Sequence, residues 1–353
     1  MSVNPISTLA PNLVPLPTGQ LGTEEYSKKV LHVPVAAVEA LDARCPLNYV
    51  WEYASSKPEL RALYEKSKVE QWDAQTYLDW KIEVDPQAEN FPDQSLPIYG
   101  SPLWNKLSPK NIRELRQSMM TWTLSQFMHG EQGALQATAQ IVNTVPSIDA
   151  KFYAAMQVVD EARHVEAYEK YMREKMQDEF PVNPQLKSLL DSILTDSRWD
   201  MKYLGMQILV EGLAMAAFKF MHMTANEPLI KDLTHNIMRD EARHVAFGVL
   251  SLRGYYGVHT NEKETREREE FTYEACRLMR DRLLAREVWE RHGMPVEECL
   301  EMALQSPSMQ EFRRLLFIRI VPNIKRLGLL SPWLRERFTE LGVLQYEDMP
   351  ADA

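Results

Sequence analysis

Asp160-Glu161-Ala162-Arg163-His164-Val165 recurs, residue for residue, as Asp240-Glu241-Ala242-Arg243-His244-Val245, 80 positions further along the chain. Glu131 and Glu211 obey the same offset, each lying 30 positions before the glutamate of its hexapeptide. An identical hexapeptide with a matched upstream glutamate reads as two copies of one helix pair. On an α-helix, positions i and i+3 share a face. Glu161 and His164 can therefore reach one metal, and so can Glu241 and His244. Glu131 is flanked by Phe127, Met128 and Leu135, and Glu211 by Ile208, Met215 and Phe218. Both glutamates thus sit on apolar helices, where an ionised carboxylate is costly without a partner. Four carboxylates neutralise two divalent cations. Oxygen and nitrogen donors without thiolate suit iron or manganese better than structural zinc. A duplicated structural helix with internal salt bridges is the other reading of the same pattern.

Asp160 and Asp240 immediately precede the two ligand glutamates. In a pseudo-symmetric bundle, each can accept a hydrogen bond from the free imidazole nitrogen of the opposite histidine, which fixes its tautomer. A solvent-facing or capping aspartate is the simpler alternative. Arg163 and Arg243 either pair with these aspartates or stand exposed.

Working outward, Ser108-Pro109 opens a long helix, with serine as N-cap and proline at the first position. Its apolar pattern runs to about Val145, and Pro146-Ser147 breaks it. A second helix is expected over residues 148–178 and a third over 183–224, the latter in two pieces around Ser197. Asn226-Glu227-Pro228 marks a turn into a fourth, ending near Gly254. Further helices follow to about 345. Upstream, residues 1–22 read as a flexible arm, and helical patterns occur across residues 34–83. Residues 85–109, rich in proline, read as a long ordered loop. The expected division is thus an arm (1–22), a helical and Pro-rich flank (23–107), a four-helix bundle (108–254) and a C-terminal helical extension (255–353).

The chain has 353 residues and a formal net charge of −10, which argues against non-specific nucleic-acid binding. Thirteen glycines against 18 methionines favour helix, and no alternating strand pattern appears. Cys45, Cys276 and Cys299 form no CxxC pair, so a reducing, cytoplasmic setting is expected. No secretory signal is evident. The most apolar stretch, residues 206–221, contains Glu211 and Lys219 and reads as a buried helix rather than a membrane span.

One Glu from each of two helices, plus Glu-x-x-His from each of the other two, resembles the ferritin-like di-iron carboxylate oxygenases and oxidases. The resemblance covers residues 108–254 and implies an all-α, ferritin-like four-helix bundle with additional flanking helices. Three branches are similar. The paired Asp-Glu-x-Arg-His motif resembles the hydroxylase subunit of soluble di-iron monooxygenases, which place a threonine where this chain has Met215. The length and the Trp104, Leu107-Ser108-Pro109 entry resemble the p-aminobenzoate N-oxygenase group. Its extra histidine ligand falls at Ile237 here, so that seven-ligand site does not carry over. Tyr168, four residues after His164, stands where the ribonucleotide reductase small subunit and its ligand-binding oxidase relatives keep a radical tyrosine. A core tyrosine reads the same way.

The resemblance implies that Glu131, Glu161 and His164 hold one iron and Glu211, Glu241 and His244 the other, with Glu161 and Glu241 bridging. A mixed Mn/Fe pair stays open beside two Fe ions. It further implies an oxygenase or monooxygenase that uses O2 on a small organic, apolar substrate. Phe127, Ala134, Leu135, Tyr168, Ala214, Met215 and Phe247 are candidate pocket walls, or ordinary core. No flavin or nicotinamide motif is present, so an external reductase or ferredoxin is expected as electron donor. Arg313, Arg314, Arg319, Lys325 and Arg326 could dock it, or form a solvated face. A homodimer is compatible. The alternatives are a radical-generating oxidase using Tyr168 and a non-catalytic iron-binding protein.

Overall fold

The computed structural model describes residues 38–350, and those residues contain helices and no strand. The expected arm at 1–22 lies outside the described residues. Helix α1 spans Pro58–Val69. Helix α2, Pro109–Thr144, starts where serine and proline place it: the Ser108 hydroxyl accepts from the Asn111 N–H at 3.2 Å. Helix α3, Ile148–Tyr171, is capped by Ser147 and runs on as a π-helical turn, Met172–Met176, which ends at Gln177 with φ 53°. Helix α4 is Pro184–Thr195.

Helix α5, Trp199–Thr224, contains a π-helical stretch, Leu204–Val210, directly before Glu211. Such π segments re-aim side chains and gather at functional sites. Helix α6, Pro228–Leu252, is capped by Glu227, which accepts from the Leu229 and Ile230 N–H groups at 2.6 and 2.8 Å. The buried Tyr171 hydroxyl donates to the same carboxylate at 2.8 Å, tying the end of α3 to the start of α6. Beyond the bundle lie α7 (Glu262–Asp281), α8 (Arg286–Arg291), α9 (Val296–Gln305), α10 (Pro307–Arg326) and α11 (Pro332–Glu340).

Helices α2, α3, α5 and α6 form the bundle. The pairs α2/α3 and α5/α6 pack most extensively, and α3 meets α6 across the centre. Helix α10 packs along α5, and its buried Phe317, Ile320 and Ile324 belong to the same apolar core as Leu209, Leu213 and Phe218. Helix α5 is long and apolar enough to cross a membrane, but 83% of its most apolar window is buried inside the protein.

The sequence patterns across 34–83 predict more helix than is present. Among the described residues of that region only α1 is helical; the remainder is extended or turned. Side chains anchor it in place of a helical ladder. Asp149, at the start of α3, accepts from Ser55, from the Ser56 and Lys57 N–H groups, and from Arg61. Trp80 donates its indole N–H to the Ala74 carbonyl at 2.7 Å.

Candidate metal centre

Glu131 on α2, Glu161 and His164 on α3, Glu211 on α5, and Glu241 and His244 on α6 meet in the middle of the bundle, each at most 5% exposed. They form two overlapping donor groups. Glu131, Glu161, His164 and Glu241 offer ligand atoms within 4.8 Å of one another, and so do Glu161, Glu211 and His244. His164 Nδ1 lies 3.3 Å from Glu131 Oε2, 3.6 Å from Glu161 Oε2 and 3.4 Å from Glu241 Oε1. His244 Nδ1 lies 3.3 Å from Glu161 Oε1 and 3.4 Å from Glu241 Oε2. Glu161 and Glu241 therefore each turn one oxygen toward each histidine, which is what a bridging carboxylate must do.

Burial raises Glu161 above the usual carboxylate range and Glu211 well above it. Burial alone would depress the two imidazoles, but the carboxylates facing them raise both well above the ordinary histidine value. Glu161 Oε2, Glu211 Oε2, Glu241 Oε2 and His244 Nδ1 are buried without a hydrogen-bond partner. Unpaired inward-facing donors of this kind are costly in a protein interior unless a cation meets them. The donor set fits a pair of metal ions.

A cage of ion pairs surrounds the imidazoles. His164 Nε2 lies 3.1 Å from Asp240 Oδ2, and His244 Nε2 lies 3.3 Å from Asp160 Oδ2, each aspartate belonging to the opposite half. Arg163 donates to Asp160 at 2.5 Å and to Asp240 at 2.8 Å; Arg243 donates to Asp240 at 2.5 Å. Despite their burial, His164 and Arg163 hold Asp240 well below the usual carboxylate range, and His244 and Arg163 lower Asp160. The segment after α1 closes the cage: Trp72 donates to Asp240 at 2.8 Å, Gln71 to Asp160 at 2.9 Å, and Glu70 pairs with Arg243 at 2.8 Å. Six buried carboxylates against two arginines leave four negative charges when both histidines are neutral. Two divalent ions cancel them.

Residues 55–328 match the family model described as P-aminobenzoate N-oxygenase AurF. The chain belongs to this family. It is therefore an oxygenase-type oxidoreductase of the ferritin-like di-iron kind. No curated protein matches it in sequence. Among solved structures, Protein 19 with aldehyde deformylating oxidase activity from Synechococcus is 16% identical, covering 63% of this chain and 95% of its own, with a TM-score of 0.45. The R2-like ligand-binding oxidase from Sulfolobus acidocaldarius is 17% identical, covering 80% of this chain and 96% of its own, with a TM-score of 0.47. These are distant likenesses, and the family match decides the assignment. Within the N-oxygenase family this member keeps a buried isoleucine, Ile237, one turn before Glu241.

Beside the six clustered side chains of this family member lies a cavity of about 20 Å³, lined by Glu131, Glu211 and Glu241 together with Phe127, Phe218 and Arg282. A larger apolar cavity of about 160 Å³ adjoins it, lined by Met119, Met120, Phe220, Leu283 and Phe312 among others, and Phe127 belongs to both walls. Of the expected wall residues, Phe127, Ala134 and Ala214 line the small cavity. Phe247 instead packs on Tyr153 and Tyr203, with ring centroids 4.5 and 4.9 Å away. The Met215 sulfur faces the Arg319 guanidinium at 4.0 Å. Tyr168 is fully buried and its hydroxyl has no partner.

Arg282, Gln157 and Trp72 were not singled out as site residues by the sequence. Gln157 carries the one available signal, a polar residue one turn before Glu161 on the same helix face. Arg282 is buried, Nε and Nη1 lack partners, and burial lowers its pKa to about 10. The basic stretch in α10 is largely engaged within the chain: Arg314 pairs with Glu311 at 2.7 Å and Lys325 with Asp348 at 2.5 Å.

Proposed function

We propose that the chain is a di-iron oxygenase that hydroxylates or N-oxygenates a small aromatic substrate bearing an anionic group. Glu131, Glu161 and His164 would hold one metal and Glu211, Glu241 and His244 the other, with Glu161 and Glu241 each offering an oxygen to both sides. An iron pair bound there supplies O2 reduction and oxygen-atom transfer, with electrons from an external donor. The chain's own residues do the rest. Asp240 and Asp160 hold the Nε2 protons of His164 and His244, so that each Nδ1 is turned inward. The apolar cavity receives the substrate, since a space of roughly 150 Å³ accommodates a benzene ring.

The observation that carries the substrate assignment is Arg282. Two metals already balance the surrounding charges, so its guanidinium is a surplus buried cation in the wall of the small cavity. An anionic group on the substrate neutralises it and fixes which end faces the metals. p-Aminobenzoate, named for the family, has this chemistry. The Tyr168 hydroxyl donates to no side chain or carbonyl, which favours oxygenation over radical storage, since no hydrogen-bonded base stands ready for the proton that oxidation of tyrosine releases.

The iron-loaded enzyme, reduced chemically and given ¹⁸O2, should transfer one labelled oxygen to arylamines that carry a carboxylate. The matching neutral arylamines should turn over poorly, and Arg282→Leu should abolish the preference. Iron oxidation without label in any organic product would contradict this reading.

A further inference from the structure

The 80-residue offset also relates the surroundings of the two half-sites, and there the halves part. One turn before Glu131 stands Phe127, and its counterpart before Glu211 is Gln207. One turn before Glu161 stands Gln157, and its counterpart before Glu241 is Ile237. One turn after His164 stands Tyr168, and its counterpart after His244 is Gly248. Phe127, Gln157, Tyr168, Gln207 and Ile237 are all at least nine-tenths buried.

The ring-bearing members gather together. Phe127 lies 6.0 Å from Tyr168 and 4.9 Å, edge-on, from Phe218. The carboxamides gather on the other half. Gln157 Nε2 donates to Glu211 Oε1 at 2.7 Å and to Glu161 Oε1 at 2.9 Å. That Glu161 oxygen is the one turned toward His244 rather than His164. Gly248 makes room for Gln207, since a Cβ at position 248 would stand 2.7 Å from the Gln207 Cβ. The amide oxygens of Gln157 and Gln207 are both buried without a partner.

We propose that the two metal positions are chemically unequal: the Glu211–His244 position is flanked by carboxamide, with Gln157 as the positioning residue that holds Glu211 and Glu161, whereas the Glu131–His164 position is walled by rings. The proposal rests on the ligand set assigned above. Outer hydrogen bonds of this kind orient a carboxylate toward its metal, and their removal typically weakens binding about 10- to 100-fold. Here the loss falls on one position only.

The test is metal binding without turnover. Apo-protein is titrated anaerobically with Mn(II) and followed by electron paramagnetic resonance, and Mn(II)-soaked crystals locate each ion by anomalous scattering. The wild type should fill both positions. Gln157→Met should retain the Glu131–His164 ion and weaken the Glu211–His244 ion about 10- to 100-fold. Gln157→Glu, of nearly the same size but without the N–H groups that Glu211 and Glu161 accept, should likewise weaken the Glu211–His244 position and spare the other, and it reads the same contact should the methionine variant fail to fold. Equal change at both positions, or none at either, overturns the proposal. Failure of the wild type to bind a pair overturns the ligand assignment itself.

Discussion

Asp240 accepts from Trp72, Arg163, Arg243 and His164, so the buried ion pairs around the imidazoles are anchored by a residue 168 positions away in sequence. A hydrogen bond to a buried charged group contributes about 1.5–3 kcal/mol. Trp72→Phe, which deletes only the N–H, should lose stability of that order in urea unfolding; a change under about 0.5 kcal/mol would show the contact to be idle. Tyr168→Phe should leave both metal content and product yield unchanged, because its hydroxyl bonds to nothing; loss of product with metal retained would restore a redox role. At this scale the candidate ligand residues were legible because they repeat with fixed spacing and break apolar helices with charge. Trp72 and Arg282 were not, because they belong to no repeat and reach the centre only through tertiary folding.

Among the elements, the junction of α4 and α5 carries a testable electrostatic strain. Lys202, in the first turn of α5, reaches the Ile193 and Leu194 carbonyls at 3.3 Å and the side chain of Gln140. Burial lowers its pKa to about 8. Between that value and about 10.5 the unfolded chain binds the extra proton, so stability rises with pH across this window. Relative to Lys202→Met, the wild type should gain about 2 kcal/mol between pH 7 and pH 10. A pH-independent difference between the two proteins would contradict the account. The bundle helices were readable from serine and proline starts and proline stops. The helix expected across residues 34–83 was overestimated because this region is pinned by side chains to α3 and α6, a choice invisible to local periodicity.

For the molecule as a whole, a duplicated helix pair builds a near-symmetric donor set and then departs from symmetry around it. Arg282, just beyond α7, lines the small cavity, while Leu283, Met309 and Phe312 line the larger one. The C-terminal extension thus completes the proposed substrate site as well as the core. Family membership followed from the match over residues 55–328, whereas the sequence reading held three related branches open, since the paired Glu-x-x-His pattern resembles all of them. The central claim is that these six residues bind a reactive metal pair. The most direct test loads apo-protein anaerobically with ferrous iron, counts the metal, and admits O2 while the visible spectrum is followed. Two irons per chain are predicted, oxidised rapidly by O2, with Glu211→Ala reduced to one or none. A wild type that binds no iron pair, or holds ferrous iron inert to O2, would contradict it.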